Sequence, residues 1–184
     1  MTELSLHVLD VAENSARAGS SLISITLDTD ESLDRLVITI EDNGCGMSEE
    51  QVRLVTDPFY TSRTTRKVGL GVPLFQYAAE CTGGSFSICS KKGLGTTVTA
   101  VFVLSHIDRM PLGDISATIQ TLITCHPKID FVYLYRYNGR EFTLDTRELR
   151  NILGDISFQE PEVSAFITEY LTENKLETDG GAVY

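Results

Sequence analysis

The order of its elements constrains this chain most. A helix, two strands, a long loop, a second helix and two more strands are predicted within the first 104 residues. Leu4, Val8, Val11, Ala12, Ser15 and Ala16 recur at spacings of three and four, so residues 4–18 form a helix with one apolar face. Ala18-Gly19-Ser20 closes it, because glycine accepts the left-handed conformation common at helix ends. Residues 22–27 alternate apolar with polar, and residues 36–40 are apolar and rich in β-branched side chains, which predicts two strands. Asp42-Asn43-Gly44-Cys45-Gly46 is a turn-forming loop. Ser48, with Gln51 three residues on, marks a helix start. Residues 57–69 lack a period and carry Arg63, Arg66 and Lys67, so a basic loop is expected there. A helix over 70–81 then stops at Thr82-Gly83-Gly84, and strands over 85–90 and 96–104 flank Lys91-Lys92-Gly93-Leu94-Gly95. Strands joined by hairpins imply an antiparallel or mixed sheet with helices on one face.

A seam falls near residues 105–114. Beyond it come a helix over 115–125, a hairpin turning at Asn138-Gly139, and helices over 145–153 and 161–174. The alternating aromatics of Tyr133-Leu134-Tyr135-Arg136-Tyr137 fit strand packing. The expected fold class is therefore α+β, with residues 1–105 as the main domain and 106–184 as a small α+β C-terminal extension. That extension either lengthens the sheet or presents a partner surface. A chain of 184 residues with 42% hydrophobic content has enough apolar material for such a core.

Composition narrows the partners. A net charge of −11 disfavours nucleic acid, since a duplex-binding surface needs clustered Lys and Arg to replace counterions. No apolar run approaches the roughly 20 residues that span a bilayer, so no membrane partner is expected. The opening Met-Thr-Glu-Leu-Ser lacks the basic-then-apolar pattern of a secretory signal. Cys45, Cys81, Cys89 and Cys125 show no CxxC spacing, which fits reduced thiols and a cytoplasmic location.

Four motifs carry chemistry. The predicted first helix places His7, Asp10, Glu13, Asn14 and Arg17 opposite its apolar stripe. Asp42 stands at a strand end, where a carboxylate can accept a bond from an exocyclic amine. The following Gly44 and Gly46 let backbone approach a planar ring. Gly69-Leu70-Gly71-Val72-Pro73 opens a helix, whose first amides can cradle phosphate. Gly93-Leu94-Gly95-Thr96-Thr97 enters the last strand of the main domain.

In this order and spacing, the four motifs resemble those of the GHKL ATPase superfamily of gyrase, heat-shock chaperones, histidine kinases and MutL. The resemblance runs through residues 7–104 and implies that superfamily's Bergerat fold, a two-layer α/β sandwich with a mixed sheet. Glu13-Asn14-Ser15 with Ala18-Gly19 is similar to the asparagine box of the MutL branch. Pro58-Phe59-Tyr60 is similar to the phenylalanine box of histidine kinases, which would make residues 61–68 an ATP lid. The resemblance implies ATP and Mg2+ as cofactors. Asn14 would ligate the metal, which takes hard oxygen ligands. Asp42 would hold the adenine amine, with Gly44, Gly46 and Thr96 around the ring. Gly69, Leu70 and Gly71 would meet the phosphates, with Arg63 and Lys67 screening their charge.

Asp10 departs from the pattern. The superfamily's hydrolases and serine kinases carry a glutamate there as general base, and aspartate is one methylene shorter. Asp10 and Asn14 are four residues apart and share a helix face, so Asp10 would either act as base or order metal-bound water. The implied activity is a stand-alone regulatory protein kinase acting on an unidentified protein partner. An ATP-driven switch or slow ATPase and a nucleotide-sensing adaptor are the alternatives. Ser105-His106-Ile107-Asp108-Arg109-Met110-Pro111-Leu112 is similar to a histidine-kinase phospho-acceptor box. However, its acid follows His106 at the second position and the segment lies after the ATP motifs, so His106 is expected to be a surface residue at the seam.

Overall fold

The computed structural model describes residues 2–55, 71–154 and 156–182. Its elements are α1 (Leu4–Arg17), β1 (Leu22–Asp30), β2 (Arg35–Asp42), α2 (Glu49–Val55), α3 (Gly71–Cys81), β3 (Ser85–Lys91), β4 (Gly95–Val103), α4 (Ile115–Cys125), β5 (Asp130–Tyr137), β6 (Arg140–Asp145), α5 (Thr146–Leu153) and α6 (Pro161–Asp179). The strands form one six-stranded sheet in the order β3-β4-β2-β1-β5-β6. Neighbours are antiparallel except β1 and β5, which run parallel, so the sheet is mixed and the fold is α+β of the Bergerat type.

Period-two burial shows why these residues became strands. In β1 and β5 every second residue is buried, and the register lines up Tyr133, Ile25, Ile40, Val98 and Ile88 in one row across five strands. That row belongs to the core on which the helices pack, with Leu4, Val8 and Ala12 of α1 and Phe75 of α3 fully buried. Removing apolar area from water at roughly 25 cal/mol per Å2 makes this shared face the main source of stability. The capping box at α2 is reciprocal: Ser48 N donates to Gln51 Oε1 at 2.9 Å, and Gln51 N donates to Ser48 Oγ at 3.3 Å. The turn at Asn138-Gly139 has φ of 49° and 80°, the two positive values that a two-residue hairpin loop requires.

The C-terminal residues extend the sheet. β5 occupies the second edge of β1, and Phe131, Tyr133 and Tyr135 enter the same core. Without β5 that edge of β1 would carry unpaired backbone groups. The seam is tied down as well. Glu3 stands at the N-cap of α1 without a side-chain capping bond, and the first amides of the helix instead reach across, Leu4 N to Pro111 O at 3.0 Å and Ser5 N to Leu112 O at 2.9 Å. Helix α6 runs five residues beyond the predicted stop at 174 and ends where Gly180 adopts φ 67°. Its last turn is held by Asp179, a buried carboxylate that accepts from Tyr135 Oη at 2.8 Å and Lys175 Nζ at 2.6 Å.

Candidate functional site

The first, second and fourth motifs meet at the end of β2, and Gly71 of the third lies against Asp10 of the first. Asp42, the last residue of β2, is 8% exposed. Its Oδ2 accepts from Ser15 Oγ at 2.6 Å and its Oδ1 from Gly44 N at 2.8 Å, so the first and second motifs are joined directly. A carboxylate has about four lone-pair positions, which leaves acceptor capacity on Asp42 for a ligand amine. Thr96 faces Asp42 across the β2–β4 ladder. Its hydroxyl is bonded to Ser90 Oγ at 2.9 Å, and Ser90 also accepts from Met47 N at 2.8 Å.

Two glycines make this junction possible. At Gly46 (φ 61°) a β-carbon would run into the Lys91 carbonyl, and at Gly95 (φ 106°) into the Asp42 carbonyl. Both positions combine a left-handed conformation with backbone against backbone, and only glycine meets both demands. The loop is pinned on either side by Cys45 N to Ala18 O at 3.0 Å and Gly93 N to Cys45 O at 2.7 Å. A cleft of about 580 Å3 opens here, lined by Asp42, Gly95 and Thr96 with Val52 and Arg53 of α2 and Ile88 and Leu94. Its size falls within the range of small-molecule sites.

Asp10 and Asn14 lie outside that lining, on the exposed face of α1. Asp10 abuts the start of α3: a β-carbon at Gly71 would stand 3.0 Å from its Oδ2. The third motif therefore touches the first. Asn14 Oδ1 accepts from Arg17 Nη1 at 3.3 Å. Glu13, next to it, faces elsewhere: its carboxylate accepts from His126 Nε2 at 2.7 Å and Arg17 Nη2 at 3.5 Å. The two acids of α1 are thus separated, Asp10 towards α3 and Glu13 towards the turn after α4. Arg63, Lys67, Gly69 and Leu70, with Arg66 and Pro58-Phe59-Tyr60, lie outside the described residues.

One expectation is corrected. His7 is not on a solvated face; it is 1% exposed and stacked on Phe75 with ring centroids 5.5 Å apart. α3 packs against this side of α1, so the buried surface of the helix is wider than its apolar stripe. Among the described residues, neither ring nitrogen of His7 has a hydrogen-bond partner. Burial of the charged form, with the positive N-terminus adding to it, lowers its pKa from 6.5 to about 4. Sequence reasoning also missed Ser15, Ser90 and His126. Ser15 left a trace, as a hydroxyl within a core stripe, whereas Ser90 and His126 left none.

A family model for the histidine kinase-, DNA gyrase B- and HSP90-like ATPases matches residues 2–106, a span that holds all four motifs. The chain belongs to that family. Membership in this ATPase family supports nucleotide binding. Among curated proteins it is 35% identical over 102 residues to the sensor protein SrrB of Staphylococcus aureus, covering 53% of this chain and 17% of SrrB. A sensor protein of Shewanella frigidimarina is 29% identical over 103 residues, 55% of this chain and 16% of that protein. The matched ATPase segment thus spans about a sixth of these relatives. A solved N-terminal domain of a DNA repair protein superposes with a TM-score of 0.57 at 18% identity, covering 79% of this chain and 53% of that one, a likeness of fold. Among the described residues no helix is long and apolar enough to cross a membrane.

Proposed function

We propose that this chain holds Mg-ATP across the junction of its four motifs and passes the γ-phosphate to a hydroxyl on a separate protein partner. Asp42 receives the adenine amine, and Thr96, Gly44 and Gly46 shape the ring pocket. The glycine stretch ending at Gly71 meets the phosphates at the start of α3, where unpaired amides and the helix dipole favour anions. The metal is held by Asn14. Its side-chain oxygen is a hard donor on an exposed face, one helical turn from Asp10. Among the described residues no group of three or more His, Cys, Asp or Glu can hold a metal ion. That fits an ion that takes its remaining ligands from phosphate and water, and its charge would offset that of the triphosphate.

One observation carries the catalytic half: the Asp10 carboxylate, one helical turn before Asn14, stands against Gly71 at the first turn of α3. There it accepts the proton of the acceptor hydroxyl as that oxygen bonds to the γ-phosphorus and the bond to the β–γ bridging oxygen breaks, leaving ADP. A hydroxyl needs such a base, whereas a neutral imidazole presents a free lone pair, so Asp10 favours serine over histidine as acceptor.

The test is incubation with γ-labelled ATP and a lysate fraction. Acid-stable label on a protein is expected, and Asp10→Asn should reduce it by about 100-fold or more while nucleotide affinity stays within about threefold. Acid-labile label would move the acceptor to histidine. Free phosphate alone would favour an ATPase switch, and binding without turnover an adaptor.

A further inference from the structure

The C-terminal extension reaches the candidate metal end of the site through one side chain. α4 packs on α1, and His126 at its C-cap donates from Nε2 to Glu13 Oε1 at 2.7 Å, across 113 positions of sequence. His126 sits on a held turn. Its carbonyl accepts from Ile129 N at 3.0 Å, and the Arg150 guanidinium of α5 bonds Pro127 O at 2.7 Å and Asp130 Oδ1 at 3.0 Å. Glu13 is therefore fixed from outside its own helix.

Glu13 matters because of what it shares. The guanidinium of Arg17 spans Glu13 Oε2 (3.5 Å) and Asn14 Oδ1 (3.3 Å), so the cation rests partly on the oxygen assigned to the metal. A divalent ion at Asn14 would repel Arg17. The Glu13 carboxylate is an alternative acceptor for Arg17, already in contact with it.

We infer that His126 is a positioning residue for the metal end of the nucleotide site. By anchoring Glu13, it gives Arg17 a seat to withdraw to when a cation takes Asn14. This rests on the proposed assignment of Asn14 to magnesium. The extension is then a brace built into the ATPase domain, joined to it by β5 on the sheet side and by His126 on the helix side. Without His126, the Glu13 carboxylate loses its fixed position, and vacating Asn14 becomes less favourable. The loss falls on metal-dependent binding and spares the adenine end, which His126 does not touch.

The experiment compares the unaltered full chain with His126→Ala and His126→Gln, whose amide nitrogen can replace Nε2 as the donor. Affinity for a non-hydrolysable ATP analogue is measured in magnesium and in excess EDTA, with thermal melting as the check on folding. His126→Ala is expected to bind about 3- to 10-fold more weakly in magnesium and within about twofold of the unaltered chain in EDTA, the scale of weakening the charge-assisted Arg17–Glu13 contact that the bound state relies on. His126→Gln is expected to stay within about twofold in both. Equal affinity of His126→Ala and the unaltered chain in magnesium overturns the inference. So does an equal loss with and without metal, or a glutamine variant no better than alanine. A chain that binds nucleotide equally well with and without magnesium overturns the metal assignment and this inference with it, leaving nucleotide binding intact. No binding by the unaltered protein overturns the proposed function itself.

Discussion

The two ends of the candidate site are built differently. At the Asp42 end, both carboxylate oxygens are engaged, the side chain is buried, and each neighbouring loop is tied by backbone bonds. At the Asp10 and Asn14 end, the side chains are exposed, and among the described residues the Asn14 side chain is held by one long bond from an exposed arginine. The first end is preorganised, so a ligand there gives up little conformational freedom. Under the proposed assignment, the second would take its final form when phosphates and a cation bind. The proposed site would then recognise the base with a rigid pocket and leave the phosphate end adjustable.

The largest expected effect lies in the rigid end. Gly95→Ala places a β-carbon on the Asp42 carbonyl at a φ that alanine resists, so the β2–β4 junction must open. A loss of about 3 kcal/mol or more is expected, read as a lowered urea midpoint, together with loss of nucleotide binding. A variant as stable as the parent would show that the junction is soft and the contrast false.

Beneath the adjustable end lies a buried neutral histidine. The pKa of His7 is about 4 in the folded state against 6.5 when exposed, so the unfolded chain binds more protons between those values. The contribution is fully present above about pH 6.5 and is lost as pH falls towards 4. The loss amounts to at most about 3 kcal/mol, at about 1.36 kcal/mol per pKa unit. His7→Phe keeps a ring against Phe75 and should flatten that acid limb in urea titrations at stepped pH. An unchanged acid limb would remove His7 as its cause.

The smallest effects compare the two ends directly. Asp42→Asn is expected to weaken nucleotide binding by about 30-fold, or 2 kcal/mol, with or without magnesium, because it exchanges a charged acceptor for a neutral one in a buried site. Asn14→Ala should cost about 10-fold or less, and only with magnesium present. Calorimetry in magnesium and in EDTA separates the two, and equal sensitivity to the metal would erase the distinction between the ends.

Much of the fold was legible because its signals are local. The apolar stripe of α1, the alternation in β1, the reciprocal cap at Ser48 and Gln51 and the Asn138-Gly139 turn depend on residues within a few positions of one another. The C-terminal end of α6 and the side of α1 that holds His7 did not follow from the pattern. The first was decided by Asp179 meeting Tyr135, and the second by α3 packing over a face that the periodicity marks as polar. Of the candidate residues, Asp42 meets Gly44 and Thr96, and Gly71 lies against Asp10. Ser15 was legible as a hydroxyl in a core stripe and as the end of the Glu13-Asn14-Ser15 motif, but nothing near it in sequence announces a carboxylate 27 positions away.

By itself the sequence determined the elements, the turns and the four motifs, because periodicity, capping and glycine conformation act over one or two turns of chain. Only the tertiary structure decided that the C-terminal strands extend the sheet, that Ser15 holds Asp42, and that His126 holds Glu13. Those pairings join residues far apart in the chain. Their energies depend on burial and on distances of about 3 Å, which no local pattern encodes.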